Sequence, residues 1–355
     1  MNTKKREHTD ARAKIIFLAG CTALVGVIAF DALYRETSLF AEGWPNSSVD
    51  YIIRSIVISI STFAIVWGLT DGRRPVLVLD SGNGIPLERL SISAVLSVSA
   101  VFLCIFIFNP SYFNTLSMED GLVEWASAVF LFGCCIIAAI STVTSRHTSG
   151  LPKGTELSLA IISLVFFVMA MEEISWFQRV FEIDTPAAFK GNYQNELNFH
   201  NFATNKVENI YYFGAFIFLV ALPFFRLIFP FVSDNNYLRI FTARPFIGII
   251  GSVGCAYNFD MWNIIFTQIA FFGSTAILSA FFAFSSNRRD SCIVLLAIFF
   301  MITTQLLFLS NGVNFAREWE VTEYKELFIP LALFIYSLDI LIFIQRARLS
   351  EKADK

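Results

Sequence analysis

Apolar residues in this chain fall in runs of about 20, broken by short polar stretches marked by proline, glycine and paired arginines. A helix rising 1.5 Å per residue needs about 20 residues to cross roughly 30 Å of hydrocarbon, so the pattern predicts stacked membrane-spanning helices. Ten spans account for the runs, at approximately 14–34, 51–70, 90–109, 121–143, 156–176, 210–231, 246–259, 263–284, 291–311 and 327–345. Asp71-Gly72-Arg73-Arg74-Pro75, Asn109-Pro110, Gly150-Leu151-Pro152, Arg244-Pro245 and Arg288-Arg289 mark their edges. The stretch from Phe246 to Phe284 exceeds one helix at ordinary tilt. It reads as two spans meeting in a tight turn over Asn258–Asn263, or as a re-entrant element. Pro223 and Arg226 predict a kinked sixth span carrying an inward cation, and Gly248, Gly251 and Gly254 predict close helix approach.

Composition agrees with this reading. Hydrophobic residues make up 55% of the 355 positions and charged residues 15%, against about 25% charged in an ordinary soluble domain. So little polar surface cannot cover such an apolar core in water. The fold expected is all-α: one polytopic helical bundle over residues 1–355, with segment 177–209 forming an interfacial helix or an ordered loop. The basic segment Met1 to Lys14 precedes an apolar run longer than a signal-peptide core, which reads as a retained first span. All six cysteines lie within apolar runs, where they serve as small packing residues rather than a disulfide framework.

Charge fixes a direction. With the N-terminus inside, 18 of the 26 Lys and Arg residues fall on cytoplasmic segments and 7 outside, as the positive-inside rule requires. Both termini are therefore expected in the cytoplasm. Acidic residues do the reverse: 18 of the 29 sit outside or at outer helix ends. Asp and Glu contribute little to topology, so this surplus needs its own explanation. Either it solvates the outer loops or part of it handles a cation or a proton.

Three outer motifs concentrate the acids. Met118-Glu119-Asp120-Gly121-Leu122-Val123-Glu124-Trp125 opens the fourth span. Its first two carboxylates suit a helix N-terminus, whereas Glu124 lies one turn deeper. Met171-Glu172-Glu173-Ile174-Ser175-Trp176-Phe177-Gln178-Arg179 closes the fifth span. A carboxylate in mid-membrane costs on the order of 2.5–3.5 kcal/mol, less at the edge. If the helix continues, Glu172, Ser175 and Arg179 share a stripe and a Glu172–Arg179 pair can form; the bland reading is an interfacial salt bridge. The third motif is Tyr193-Gln194-Asn195-Glu196-Leu197-Asn198-Phe199-His200-Asn201. Glu196 and His200 stand four apart, a spacing that serves a metal pair or an acid-oriented base if helical, and an ordinary solvated loop otherwise. His200 is the only one of three histidines on the acidic side, and asparagines 192, 195, 198, 201, 205 and 209 imply residues kept for hydrogen bonding. Glu318, Glu320, Glu323 and Glu326 either cap the last span or add a ligand.

The Glu172-Glu173-Ile174-Ser175-Trp176-x-Gln178-Arg179 run, the Glu196-x-Asn198-x-His200-Asn201 run and the Glu119-Asp120-Gly121-x-x-Glu124-Trp125 run together resemble a widespread family of uncharacterised bacterial multi-pass membrane proteins. In that family a glycine commonly follows the tryptophan and another precedes the second glutamate, where Phe177 and Asn195 stand here. The resemblance covers residues 119–201 and implies no activity. It does imply a bacterial cytoplasmic membrane and three motifs acting as one unit. The layout also resembles multi-pass lipid hydrolases of the alkaline ceramidase type. Their zinc sites use three histidines where this chain offers one, so Ca²⁺, Mg²⁺ or Mn²⁺ fits the oxygen-rich set better.

Three functions follow as expectations. The first is a metal-dependent hydrolase or transferase acting on a lipid or lipid-linked substrate. Glu172, Glu173, His200 and Arg179 would be catalytic, and Glu119, Asp120, Glu124, Glu172, Glu196 and His200 would hold the cation. The second is a cation- or proton-coupled transporter or channel, and the third a sensor or assembly partner without catalysis. The partners expected are membrane lipids, with a homo-oligomer or a second membrane protein also open, and no nucleic acid.

Overall fold

A computed structural model describes residues 3–34, 40, 42–71, 73, 75–80, 87–192 and 196–353, with side chains from residue 11 onward except that of His200. Its regular elements, among the described residues, are all helices. Among the described residues nine helices are long and apolar enough to cross a membrane. They are α1 (Thr3–Tyr34, apolar from Ala11), α2 (Val49–Thr70), α3 (Leu87–Phe108), α4 (Leu122–Arg146), α5 (Thr155–Glu173), α6 (Thr204–Ile228), α8 (Ile265–Phe284), α9 (Arg288–Ser310) and α10 (Glu320–Ala353). Between α6 and α8 lies α7, the ten-residue helix Pro245–Gly254. The expected membrane-helix bundle is thus present, and the 246–259 span is corrected: it is helical only as far as Gly254.

That break has a physical cause. A ten-residue helix is about 15 Å long, half the hydrocarbon thickness. The chain then runs without helix through Cys255–Ile264, where a tight turn at 258–263 was expected. Buried backbone needs partners, and side chains supply them. Asn258 Nδ2 donates to the Cys255 carbonyl (2.7 Å) and to Gln305 Oε1 (2.9 Å), and Gln305 Nε2 returns a bond to the Asn258 carbonyl (2.8 Å). In α6 a π turn over Ile217–Ala221 precedes Pro223, so the helical ladder is interrupted where the proline predicted a kink.

Close helix contacts occur where glycine permits them. A Cβ on Gly68 of α2 would stand 2.8 Å from the Ala13 carbonyl oxygen of α1, and one on Gly251 of α7 would stand 2.7 Å from Leu219 Cβ in the π turn. All six cysteines are unpaired.

The bundle has two polar ends. At one, the C-terminus of α1 is tied to α2 by a buried Asp31–Arg54 pair (2.6 Å). The Gly43 amide donates to the Asp260 carbonyl, which brings the 255–264 stretch to this end. At the other, Arg244 before α7 grips Asp339 of α10 (Nε–Oδ2 2.8 Å) and Glu88 of α3. There the loop after α2 runs beside the loop after α8. Leu77 N donates to the Phe284 carbonyl (2.8 Å) and Ser286 N to the Leu77 carbonyl (2.9 Å). Leu79 N and Arg89 both reach the fully buried Asp290 (3.1 and 3.0 Å).

Candidate functional site

The three acidic motifs meet at the end of the bundle that holds Asp31 and Asp260, and they meet around Arg179. The turn that aims this arginine begins where α5 stops at Glu173. Ser175, Trp176 and Phe177 all have positive φ (45°, 54° and 58°), so the expected helical continuation does not exist. The left-handed region disfavours side chains with a Cβ. Glycine enters this region freely, yet none of the three residues here is glycine.

The folded-back segment is fastened by hydrogen bonds. Ser175 Oγ donates to Glu196 Oε2 (2.5 Å), and Asn198 Nδ2 donates to Ser175 Oγ and to Glu196 Oε2 (3.1 Å each). Gln178 Oε1 accepts from the Leu197 amide (2.5 Å), and Asn192 Nδ2 donates to the Glu196 carbonyl (2.6 Å). Of the six asparagines, Asn192 and Asn198 hold the loop by side-chain hydrogen bonds. They do so without a helix: 196–199 is irregular, and only a 3₁₀ turn, His200–Phe202, follows. Segment 177–209 up to α6 is therefore an ordered loop wherever it is described. The helix that would set Glu196 one turn from His200 is not formed. The His200 side chain and residues Tyr193–Asn195 lie outside the described residues.

Arg179 gathers four of the carboxylates expected to bind metal. Its guanidinium meets Glu196 at 2.7 Å, Asp120 at 3.0 Å, Glu119 at 3.8 Å, and Glu124 at close range. Burial opposes the charge on Arg179. The surrounding Glu124, Glu196, Asp120 and Glu119 outweigh it, so its pKa rises above the ordinary arginine value. Glu124 also accepts the Asp120 amide (2.6 Å), bracing the start of α4 in the manner of a capping box.

The remaining predicted residues divide. Glu172 turns away from Arg179: Oε1 accepts from Trp176 Nε1 (2.7 Å) and Oε2 from the Phe199 amide (2.7 Å), which ties the end of α5 to the loop. Glu173 instead faces a cavity of about 550 Å³. Sequence reasoning ranked neither Glu42, Glu208 nor Asp260 as site residues, yet all three line this cavity with Glu173, Glu323 and Glu326. Their only signal was membership of the outer acidic surplus. Glu320 does not join them; it is fully buried and its Oε1 accepts the Arg317 amide (2.9 Å), capping α10.

In all, ten carboxylates and two arginines line the cavity. Arg317 is occupied by neutral acceptors, the Asn114 side chain (3.1 Å) and the Ser117 carbonyl (2.9 Å). Three further oxygens on the wall, Glu42 Oε1, Asn198 Oδ1 and Thr204 Oγ1, are buried and no donor among the described residues reaches them. Asn198 is itself only 2% exposed. Lys325 lies beneath, 4% exposed, its ammonium on Asn258 Oδ1 (2.5 Å) and over the Tyr212 ring (4.6 Å). Such a surface attracts cations and repels anions. Among the described residues no three His, Cys, Asp or Glu side chains converge as a ready metal site.

Burial, reinforced by Asp260 and opposed by Lys325, pushes the Glu42 carboxyl up to about 7. Between its ordinary value of 4.5 and about 7, the folded protein then holds a proton here that the unfolded chain has lost. This contribution is full below pH 4.5 and disappears as pH rises through 7. Wild-type thermal stability, measured against pH in detergent, should decline across that window more steeply than that of Glu42→Gln. Parallel profiles for the two proteins would refute the assignment.

No family model, curated protein or solved structure matches this chain.

Proposed function

We propose that this chain is a multi-pass protein of the bacterial cytoplasmic membrane that takes a cation from the extracytoplasmic side into the acidic cavity. In this reading α7 and the stretch 255–264 together make a tenth crossing, both termini are cytoplasmic, and the acidic end faces outward. The arginine-rich end around Arg244 then faces the cytoplasm, as the positive-inside rule prefers.

The observation that carries the proposal is the imbalance of the cavity wall. Ten carboxylates face two arginines, one of which is spent on neutral acceptors, and three buried oxygens there meet no donor among the described residues. Among the described residues neither Glu173 nor Glu323 forms an ion pair; Arg179 is held by Glu119, Asp120, Glu124 and Glu196. Partly buried like charges repel unless a cation or a proton intervenes. A cavity of about 550 Å³ also falls within the usual range for small-ligand sites.

Transport is favoured over hydrolysis by what lies beneath. The charge of Lys325 acts on the wall carboxylates Glu42 and Asp260, and its ammonium donates to Asn258 at the interrupted α7. Broken helices at mid-membrane are where transporters build ion and substrate sites. The hydrolase reading loses support because Glu124 and Glu196 are committed to Arg179 and Glu172 to the loop.

Calorimetric titration of the purified protein with Ca²⁺, Mg²⁺, Mn²⁺ and 1,4-diaminobutane tests the binding step. At least one should bind, and Glu173→Gln with Glu323→Gln should weaken it by about tenfold or more. Each charge-assisted contact is worth about 1.5–3 kcal/mol. Binding of none of them, or unchanged affinity in the double variant, would sink the proposal. Flux of the bound cation into proteoliposomes then separates carriage from catalysis.

A further inference from the structure

The opposite end of the bundle holds a second cavity, of about 340 Å³, between the 77–79 segment, α3, α6 and α7. Its walls are mainly apolar, with Leu77, Leu79, Leu227 and Phe246 among them, and two guanidinium groups enter it, those of Arg226 and Arg244. The two arginines are not equivalent. Arg244 is already neutralised by Asp339 and Glu88. Arg226 donates to one backbone carbonyl, that of Thr242, and among the described residues meets no carboxylate within ion-pair distance. Of the two arginines lining this cavity, Arg226 is thus the one whose charge has no carboxylate partner among the described residues.

The surroundings indicate what answers it. Val76 and Val78 beside the cavity are 60% and 46% exposed, and Phe231 on the short helix Pro230–Asp234 is 64% exposed. A small soluble anion would gain nothing from such walls. A lipid uses both parts, with its phosphate on the guanidinium and its upper acyl carbons on the apolar side chains.

We propose that this cavity seats the headgroup phosphate of an anionic phospholipid, held by Arg226. The proposal takes from the preceding section only the placing of this end at a bilayer surface; it stands or falls independently of cation binding at the other end.

Native mass spectrometry tests it on delipidated full-length protein offered equal amounts of phosphatidylglycerol and phosphatidylcholine with identical acyl chains. Wild type should retain phosphatidylglycerol in preference. Arg226→Gln should lower that preference about tenfold, and Arg226→Lys should keep most of it. Arg146→Gln, which alters an exposed arginine paired with Glu156 at the same end, should change nothing. Should Arg226→Gln fail to fold, Val78→Glu places a negative charge at the same cavity and should abolish the preference in a folded protein. Equal retention of the two lipids by wild type overturns the proposal, as does full preference in folded Arg226→Gln or, in its stead, folded Val78→Glu. Displacement of the lipid by inorganic phosphate would overturn it in favour of a soluble anion.

Discussion

Replacing Arg179 by glutamine is expected to lower stability by about 2–3 kcal/mol and to convert the junction of the three motifs into a divalent-cation site. Removing one partner of a buried ion pair costs about 3–5 kcal/mol because the other charge is left uncompensated. Arg179 keeps 24% of its side-chain surface exposed, and Glu124 and Glu196 keep 12% each, so water offsets part of that cost. The same four carboxylates would remain at the junction with no guanidinium between them, and a hard cation could draw them together. Ca²⁺ or Mn²⁺ should therefore restore the thermal midpoint of Arg179→Gln while shifting wild type less. Arg179→Lys should recover only part of the loss, because one ammonium cannot fork between Glu124 and Glu196 as a guanidinium does. An Arg179→Gln protein as stable as wild type in a chelator would show that the guanidinium does not organise the junction.

The second large effect is expected at Gly251. A side chain there meets Leu219 Cβ at 2.7 Å and the Leu219 carbonyl oxygen at 3.1 Å, and backbone cannot swing aside as a flexible side-chain tip can. Gly251→Leu should cost about 3 kcal/mol, the upper end of the usual range for overpacking. Gly214→Ala makes the contrast: the added methyl meets nothing within 4 Å, and removing glycine from a helix should be neutral or stabilising by up to about 1 kcal/mol. Thermal melts of the two variants in one detergent decide the matter. Equal midpoints would mean that α7 and the π turn are not in the contact described.

Much of this architecture was legible in the chain because span length and apolarity are local properties. The long helices lie close to where the apolar runs placed them, and the convergence of the three motifs followed from putting their carboxylates on one side. What escaped was set by distant partners. A turn was expected over Asn258–Asn263, but nothing in the chain announces that the helix stops as early as Gly254; it can stop there because Asn258 finds Gln305 and Lys325, which arrive from α9 and α10. The end of α5 was missed because Ser175-Trp176-Phe177 contains no glycine or asparagine to announce left-handed backbone. The hydrogen bonds of Ser175 and Gln178 to Glu196 and Leu197 impose it. The metal expected among Glu119, Asp120, Glu124 and Glu196 was a sound deduction from their charge. Arg179, assigned to a substrate or a single carboxylate, stands among all four.

The pairing of Leu77 with the loop after α8 also bears on how the molecule is made. A ribosome releases the 76–79 segment long before residues 284–290 exist, yet those residues supply its backbone partners and the Asp290 that anchors Leu79 and Arg89. The first three helices must wait in the bilayer with this edge unsatisfied while five more are inserted. Assembly of the arginine-rich face is thus a late event in biogenesis. A nascent chain arrested before α8 would display an unzipped strand, a natural handle for membrane quality-control proteases.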